Sequence, residues 1–531
     1  MASHIAITPS DIATLSRVLA QDHHDLRRQM QDYAANDPIY IPRYDISTAA
    51  HRELALQRLE RLSQQKFISV FDFEKDPLRI FAAHEIAGMI DQSMATKMTV
   101  QWNLFGGTVI KLGTERHRAL LNEVDDLSSV GCFALTELGF GNNAIEMDTT
   151  AHYIPETHEW DVHTPTIKGL KYWITNSAVH AKWAVVFAQT IVQGKNEGVH
   201  AILVRIREDS LQPSQGVTIH DMGIKMGCNG VDNGKLHFEH VRVPADNLLN
   251  RYSDVSKTSG TFSSTIASRR GAFQEQTPAP DADEVVRLCC VIKPLITWNA
   301  ERVATTCRER CGGQGYLSVN RFGEMIAFAH AGMTAEGDNS VLMQKVAKEQ
   351  LALLERSQHT NAGSDLEVKR KNVQALDVLS LEALLTLFQL REAGLFQELG
   401  MSMKSKLSKG KALFDVWMGE ESDTIQAAAK SFGERMCFEQ TLEVIRSLRG
   451  GPNAHLVPQH LRDVVASVGH DSVTLCGILG VDERLLFAPI AGSVGGWENY
   501  NATDNQGELL RRDELEIKGF RPHHAFGNSK L

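Results

Sequence analysis

A chain of 531 residues is too long for a single hydrophobic core, so two to four domains are expected. Its composition, 43% hydrophobic and 23% charged, is that of an ordinary water-soluble protein. With 55 Lys and Arg against 65 Asp and Glu, the net charge of −10 argues against general nucleic-acid binding or a membrane-surface role, and an anionic ligand would need a local basic patch.

Residues 1–130 read as helices, for example at 10–20, at 51–66 with its Leu54, Leu56, Leu59, Leu62 stripe, and at 77–100. The amino-terminal stretch has no apolar core with a cleavage site and reads as a capped helix, so secretion is not expected. No apolar run approaches the roughly 18 residues of a membrane span. Gly106, Gly107 and Gly113 mark a segment where backbone packs closely. Near Gly131 the period changes. Short segments rich in Thr, Val, Ile and aromatics, separated by turn residues, predict an all-β barrel or sandwich over 131–250.

After Arg251 come a Ser/Thr-rich stretch, a polar linker at 274–283 and a helix over 283–310, kinked or interrupted at Pro294. A second helix covers 340–357, within a helical region at 251–357. A carboxy-terminal helical region at 366–503 follows, with helices at 372–399, 421–448 and 458–479. The basic connector SMKSKLSKGK (402–411) reads as a solvated turn, and residues 504–531 as an extended tail. Its last residues, Ser529, Lys530 and Leu531, spell a peroxisomal address read by an import receptor. The eight cysteines are scattered. Cys307 and Cys311 share a helix face, but no second pair completes a zinc site, so no metal is expected.

Four motifs carry the chemistry. CGGQGY (311–316) ends a helix with Gly312 and Gly313. TAEGDNS (334–340) places Glu336 on a tight loop between Ala335 and Gly337, with Asp338, Asn339 or Ser340 to cap the next helix. GCFALTELGFGNN (131–143) runs a strand into a Gly-rich turn with Thr136 at the corner. KYWIT (171–175) sets Trp173 and Thr175 on one face of a strand, and a Gly-rich loop, KMGCNGVDNG (225–234), leads into a strand pair. Taken singly, each has a bland meaning: a solvated Glu, a core Trp, a strand Thr.

Taken together and in this order, they resemble the acyl-CoA dehydrogenase/oxidase superfamily, most closely a peroxisomal acyl-CoA oxidase of the plant ACX type, over about residues 76–349. The resemblance implies an α+β multidomain fold: an N-terminal helical domain, a central β-barrel or sandwich, and C-terminal helical bundle regions. It implies FAD as cofactor, acyl-CoA and O2 as substrates, and a homodimer as the usual assembly. It also implies roles. Thr136 would bond the polar edge of the flavin, Trp173 would stack on its ring system and Thr175 would bond near N5. Gly312 and Gly313 would admit the FAD diphosphate of a neighbouring subunit, and Glu336 would be the catalytic base. Its backbone amide is a candidate donor to the thioester oxygen.

The chain departs from the family in two places. Phe140 and Asn142 stand where His and Ser are usual. Between Arg251 and Cys311 there are fewer helices than in the family, and the Arg-containing RxQFG segment is missing, although SRRGAF (268–273) keeps its beginning. Two helices cannot close a four-helix bundle unaided. Later helices or a partner chain must complete it, or apolar faces stay exposed. The alternatives to an oxidase are an acyl-CoA dehydrogenase and a flavin-free assembly subunit.

Overall fold

The computed structural model describes residues 9–141, 143–265, 282–357, 380–449, 476 and 478–491. Asn142, the linker up to residue 281, SRRGAF, most of the helix expected at 458–479 and the tail ending in Ser529–Leu531 lie outside these residues.

The amino-terminal part is helical, as expected: α1 (Pro9–Ala20), α2 (His24–Asn36), α3 (Thr48–Gln64), α4 (Asp72–Lys75), α5 (Pro77–Ile90), α6 (Gln92–Met98), α7 (Gly107–Leu112) and α8 (Arg118–Asp125). The helix expected over 77–100 is two. Asp91 adopts an extended backbone, and its carboxylate accepts from the Ser93 and Met94 amides at 2.8 and 3.2 Å, starting a new helix. A π-helical turn, Thr99–Gly106, joins α6 to α7 and buries Trp102 and Phe105 completely. Here the glycines matter: Gly106 lies against Val70 and Val124, and Gly131 lies flat on the Phe105 ring, where no Cβ fits.

Eleven strands follow among the described residues: β1 (Gly131–Ala134), β2 (Thr150–Ile154), β3 (Glu159–His163), β4 (Lys171–Thr175), β5 (Trp183–Val192), β6 (Lys195–Arg205), β7 (Val217–Asp221), β8 (Asn233–Phe238), β9 (Val241–Pro244), β10 (Ser253–Val255) and β11 (Phe262–Ser264). One sheet has the order β1-β5-β2-β3-β9 with β6 antiparallel to β5, and a second has the order β4-β8-β7. Between them lies a core that includes Trp160, Val186, Ile202, Leu236 and Phe238. Because side chains alternate along β5 and β6, their other face (Val185, Phe187, Val199, Ala201, Leu203) joins the core of the amino-terminal helices. The Ser/Thr-rich stretch forms the hairpin β10–β11, held by Ser253 and Ser264 side chains at 2.8 Å. It carries no apolar alternation from which a strand pair could be read.

The remaining helices are α9 (Ala282–Arg310), α10 (Phe322–Thr334), α11 (Asn339–Ser357), α12 (Leu381–Ser408) and α13 (Ser422–Arg449). α9 is continuous through Pro294. The basic connector corrects the expectation of a turn. Residues 402–408 complete the last two turns of α12, and only 409–411 turn, because Lys406 is drawn to Glu420 and Glu421 and Lys411 to Glu420. α12 and α13 supply what α9 and α11 lack: Val291, Met343, Val346, Phe396, Leu399 and Phe432 share one buried core. α9 nonetheless keeps a stripe of exposed apolar residues, Val285, Ile292, Ile296 and Val303, spaced to fall on one face.

Candidate active site

β1 ends at Ala134 and turns at Thr136, whose carbonyl accepts from the Tyr172 amide of β4 at 2.9 Å. The corner is fixed from beneath by Glu137 and Lys171, both fully buried. The Lys171 ammonium donates to Glu137 at 2.9 Å, to the Leu135 carbonyl at 3.2 Å and to the Phe187 carbonyl at 2.7 Å. Glu137 also accepts from the Asp148 and Thr149 amides. Burial pushes the Lys171 ammonium below its ordinary pKa, and Glu137 opposes that shift.

The ladder between β4 and β8 slips between Lys171 and Ile174. At the slip, Trp173 has φ +63°, a left-handed conformation that a bulky residue seldom adopts, and the residue is 53% exposed. Ile174 is buried in the core, while Trp173 is exposed and Thr175 half-buried on either side of it. The Thr175 hydroxyl oxygen accepts from the Asn233 side-chain amide at 3.0 Å, leaving its proton to donate elsewhere. Asn233 is set by its neighbour Asp232, which is completely buried. Asp232 pairs with Lys97 and accepts from the Val179 and His180 amides. Burial alone would raise the Asp232 pKa, but Lys97 and His180 outweigh it and hold the carboxyl well below the usual range.

Glu336 lies between α10 and α11, on an exposed loop, with φ +58°. Asp338 is the cap of α11, accepting from the Ser340 and Val341 amides at 2.9 and 3.3 Å. Lys293 of α9 grips the loop, donating to the Met333 carbonyl, the Gly337 carbonyl and the Asn339 side chain. Buried Arg321, just before α10, donates to the Met89 and Ile90 carbonyls at the end of α5 and to those of Leu485 and Leu486. The loop that leads into Asn233 packs against the same helix, with Gly227 on Ala327. Thr334, the last residue of α10, stands seven residues past Ala327, about 10 Å along the axis, and Glu336 follows two residues later on the loop.

The Thr136 main chain is therefore joined in one ledge to β4, the strand of Trp173 and Thr175, and the helix that leads to Glu336 is packed on the loop that runs into Asn233. Gly312 and Gly313 are not part of this group. They sit on an exposed turn after α9, and among the described residues nothing beyond their chain neighbours lies within 4 Å of where their Cβ atoms would be. Lys293 to Arg310 spans about 26 Å of helix, which separates this turn from the Glu336 loop. The glycine that this turn needs for its own packing is Gly315, pressed on the Arg308 backbone.

Lys293, Asn233 and the Glu137–Lys171 pair are absent from the sequence-derived site. Glu137 and Asn233 stand inside quoted motifs, but which residue of a motif bonds inward is decided by strand register. Lys293 gives no signal, being one lysine in an amphipathic helix. Among the described residues, His163, Glu239 and His240 could offer metal ligands. The two imidazoles stack in parallel, 4.0 Å apart and 7° from coplanar, so their lone pairs run side by side rather than converge. All eight cysteines are unpaired.

Residues 132–241 match the acyl-CoA dehydrogenase middle domain, and residues 250–351 the acyl-CoA oxidase C-alpha1 domain. The chain is 33% identical over 446 residues to a peroxisomal acyl-coenzyme A oxidase 2 of Arabidopsis thaliana, covering 67% of this chain and 64% of that protein. It is 31% identical over 421 residues to the peroxisomal acyl-coenzyme A oxidase 3 of Homo sapiens, covering 62% and 60%. Over the matched residues the chain is thus similar to peroxisomal acyl-CoA oxidases. It spans less than two thirds of the length of these relatives. Acyl-CoA oxidase 1 of Arabidopsis thaliana has the same fold, with a TM-score of 0.75 at 20% identity over 96% of this chain and 97% of that one. Acyl-CoA oxidase-1 of Caenorhabditis elegans, complexed with FAD and ATP, gives 0.75 at 18% over 96% of each chain. The fold is thus that of the acyl-CoA oxidase structures, with helices, β-sheets and helices in turn.

Proposed function

We propose that this chain is an FAD-dependent acyl-CoA oxidase that converts an acyl-CoA to the trans-2-enoyl-CoA and reduces O2 to H2O2, in peroxisomal fatty-acid β-oxidation. The relatives' names supply the activity and compartment. The observation that carries it to these residues is the ledge of Thr136, Trp173 and Thr175, with the helix that leads to Glu336 packed on its supporting loop.

The ledge fits a flavin. It offers an exposed aromatic face at Trp173, and a Thr175 hydroxyl whose acceptor side is already occupied by Asn233, so that its proton is free for a ring nitrogen or oxygen. FAD, when bound, supplies the acceptor for the β-hydride and passes the electrons to O2. The Glu336 carboxylate takes the α-proton, and the Glu336 amide is the candidate donor to the thioester oxygen as charge gathers there. Thr136 and Thr175 fix the flavin edge, and Trp173 fills the space beside it, excluding water. An acyl chain laid over Glu336 would remove its carboxylate from solvent and raise its basicity. Gly312 and Gly313, open and distant, would serve the flavin diphosphate of a second copy in a homodimer.

A flavin-free assembly subunit was suggested only by an unclosed bundle, and the core shared by α9, α11, α12 and α13 weighs against it. The test is Glu336→Gln. The purified variant should keep its visible flavin spectrum yet fail to be bleached by a medium-chain acyl-CoA without oxygen. Bleaching at the normal rate would remove Glu336 as the base. Protein that stays colourless after FAD is added would remove the oxidase itself. Oxygen uptake without an electron-transfer flavoprotein separates oxidase from dehydrogenase.

A further inference from the structure

The loop that carries Glu336 has no apolar residue of its own to bury, yet its backbone is held in an uncommon conformation, with φ +58° at Glu336 and +98° at Gly337. What holds it comes from another helix. The half-buried Lys293 ammonium has three protons, and each has an acceptor on a different part of the loop. These are the Met333 carbonyl in the last turn of α10 at 3.1 Å, the Gly337 carbonyl within the loop at 2.5 Å, and the Asn339 side-chain oxygen at the start of α11 at 2.8 Å. Asn339 is 97% buried and turns its amide group to the Thr297 hydroxyl at 2.9 Å, one helical turn beyond Lys293. Thr297 in turn donates to the Lys293 carbonyl at 2.9 Å. The residues on both sides of Glu336 are thereby tied to one rigid helix, while its own carboxylate stays uncommitted among the described hydrogen bonds. Acidic neighbours, Glu336 and Asp338, favour the charged form of Lys293 against the effect of its burial.

We propose that Lys293, acting through Asn339 and Thr297, is a positioning residue that fixes the Glu336 loop in the pose from which the carboxylate takes the α-proton. The inference rests on Glu336 being the base. Lys293 touches neither substrate nor cofactor. Its effect is on geometry, and misplacing a reacting group by about 1 Å can cost on the order of 100-fold in rate.

The experiment compares flavin-loaded wild type, Lys293→Met, Lys293→Arg, Thr297→Val and Glu336→Gln, using a medium-chain acyl-CoA. Three quantities are read: the rate of flavin bleaching without oxygen, the substrate concentration for half-maximal rate, and FAD content. Lys293→Met should slow bleaching about 10- to 100-fold, with FAD content and half-saturation within about twofold of wild type. Lys293→Arg should recover part of the rate. Thr297→Val, which deletes one oxygen and keeps the shape, should slow the reaction in the same direction by a smaller factor. It decides the matter if Lys293→Met does not fold. Unchanged rates in the Lys293 and Thr297 variants, with Glu336→Gln inactive, overturn this inference and leave the base assignment standing. Rate, FAD content and half-saturation failing in parallel also overturn it, since that marks a loop needed only for the fold. An active Glu336→Gln instead removes the base.

Discussion

Replacing Lys171 by methionine keeps the length and apolar stem of the side chain and deletes only its charge. Four contacts of the wild-type ammonium are lost at once: to Glu137 at 2.9 Å, to the Leu135 carbonyl at 3.2 Å, to the Phe187 carbonyl at 2.7 Å and a weak one to the Met147 sulfur at 3.8 Å. The Glu137 carboxylate is left with no exposed surface and only two amide donors, Asp148 and Thr149. Stranding one member of a buried pair costs about 3–5 kcal/mol. The lower figure is a factor of about 150 in the local opening equilibrium. Several hydrophobic cores make a single global unfolding transition a poor measure. Amide hydrogen exchange of peptides covering 131–138 and 183–192 reads the opening of β1 and β5 directly. Protection there should fall at least 100-fold in Lys171→Met. Adding Glu137→Gln should restore part of it, because the neutral amide still accepts from Asp148 and Thr149 but is no longer a stranded charge. A fall of less than fivefold, or a double variant worse than the single, would refute the argument that this pair holds the Thr136 corner.

Two further outcomes follow from the glycines and from the buried aspartate. Gly315→Ala sets a methyl on the Arg308 backbone, which cannot give way, and should cost about 1–3 kcal/mol of local stability, read by amide hydrogen exchange over 304–320; Gly313→Ala meets open space and should stay within about 0.5 kcal/mol, while weakening FAD retention if a second copy's flavin approaches there. Equal stability of the two variants would show that the turn is not packed as drawn. For pH, the folded-state pKa of Asp232 is depressed, so its contribution is fully present above the unfolded value near 3.9 and is lost as pH falls through the folded value. Hydrogen-exchange protection of the amides over 92–98 and 231–236 should therefore drop below about pH 4, and Asp232→Asn should flatten that limb; an identical acid limb in the variant would dismiss the Lys97–Asp232 pair as its source.

Much of the architecture was legible because each part has its own period. The strands from Gly131 to Pro244 are short, rich in Thr, Val, Ile and aromatics and punctuated by turns, and the helices flanking them repeat every three to four residues. Two misjudged places had local causes. A single Asp91 carboxylate cut one expected helix into two, and lysines at 402–411 looked like a solvated turn because their glutamate partners lie further along the chain. The site was legible as motifs but not as geometry. Thr136 and Trp173 could be named, whereas the left-handed backbone at Trp173 depends on a ladder slip that no composition announces. Lys293 was illegible for a plainer reason: its partners are main-chain carbonyls, which have no letter in a sequence.

The way the carboxy-terminal core is assembled has a consequence for how the protein is made. Phe432 lies 141 positions after Val291 (432 − 291), yet both are buried in the same cluster. At a synthesis rate of roughly 5–20 residues per second, α9 leaves the ribosome some 7–28 s before the helix that covers it exists. Through that interval its oily side has no cover from the later helices. Slowed elongation between these two helices should lower the yield of soluble chain more than the same delay placed after residue 449.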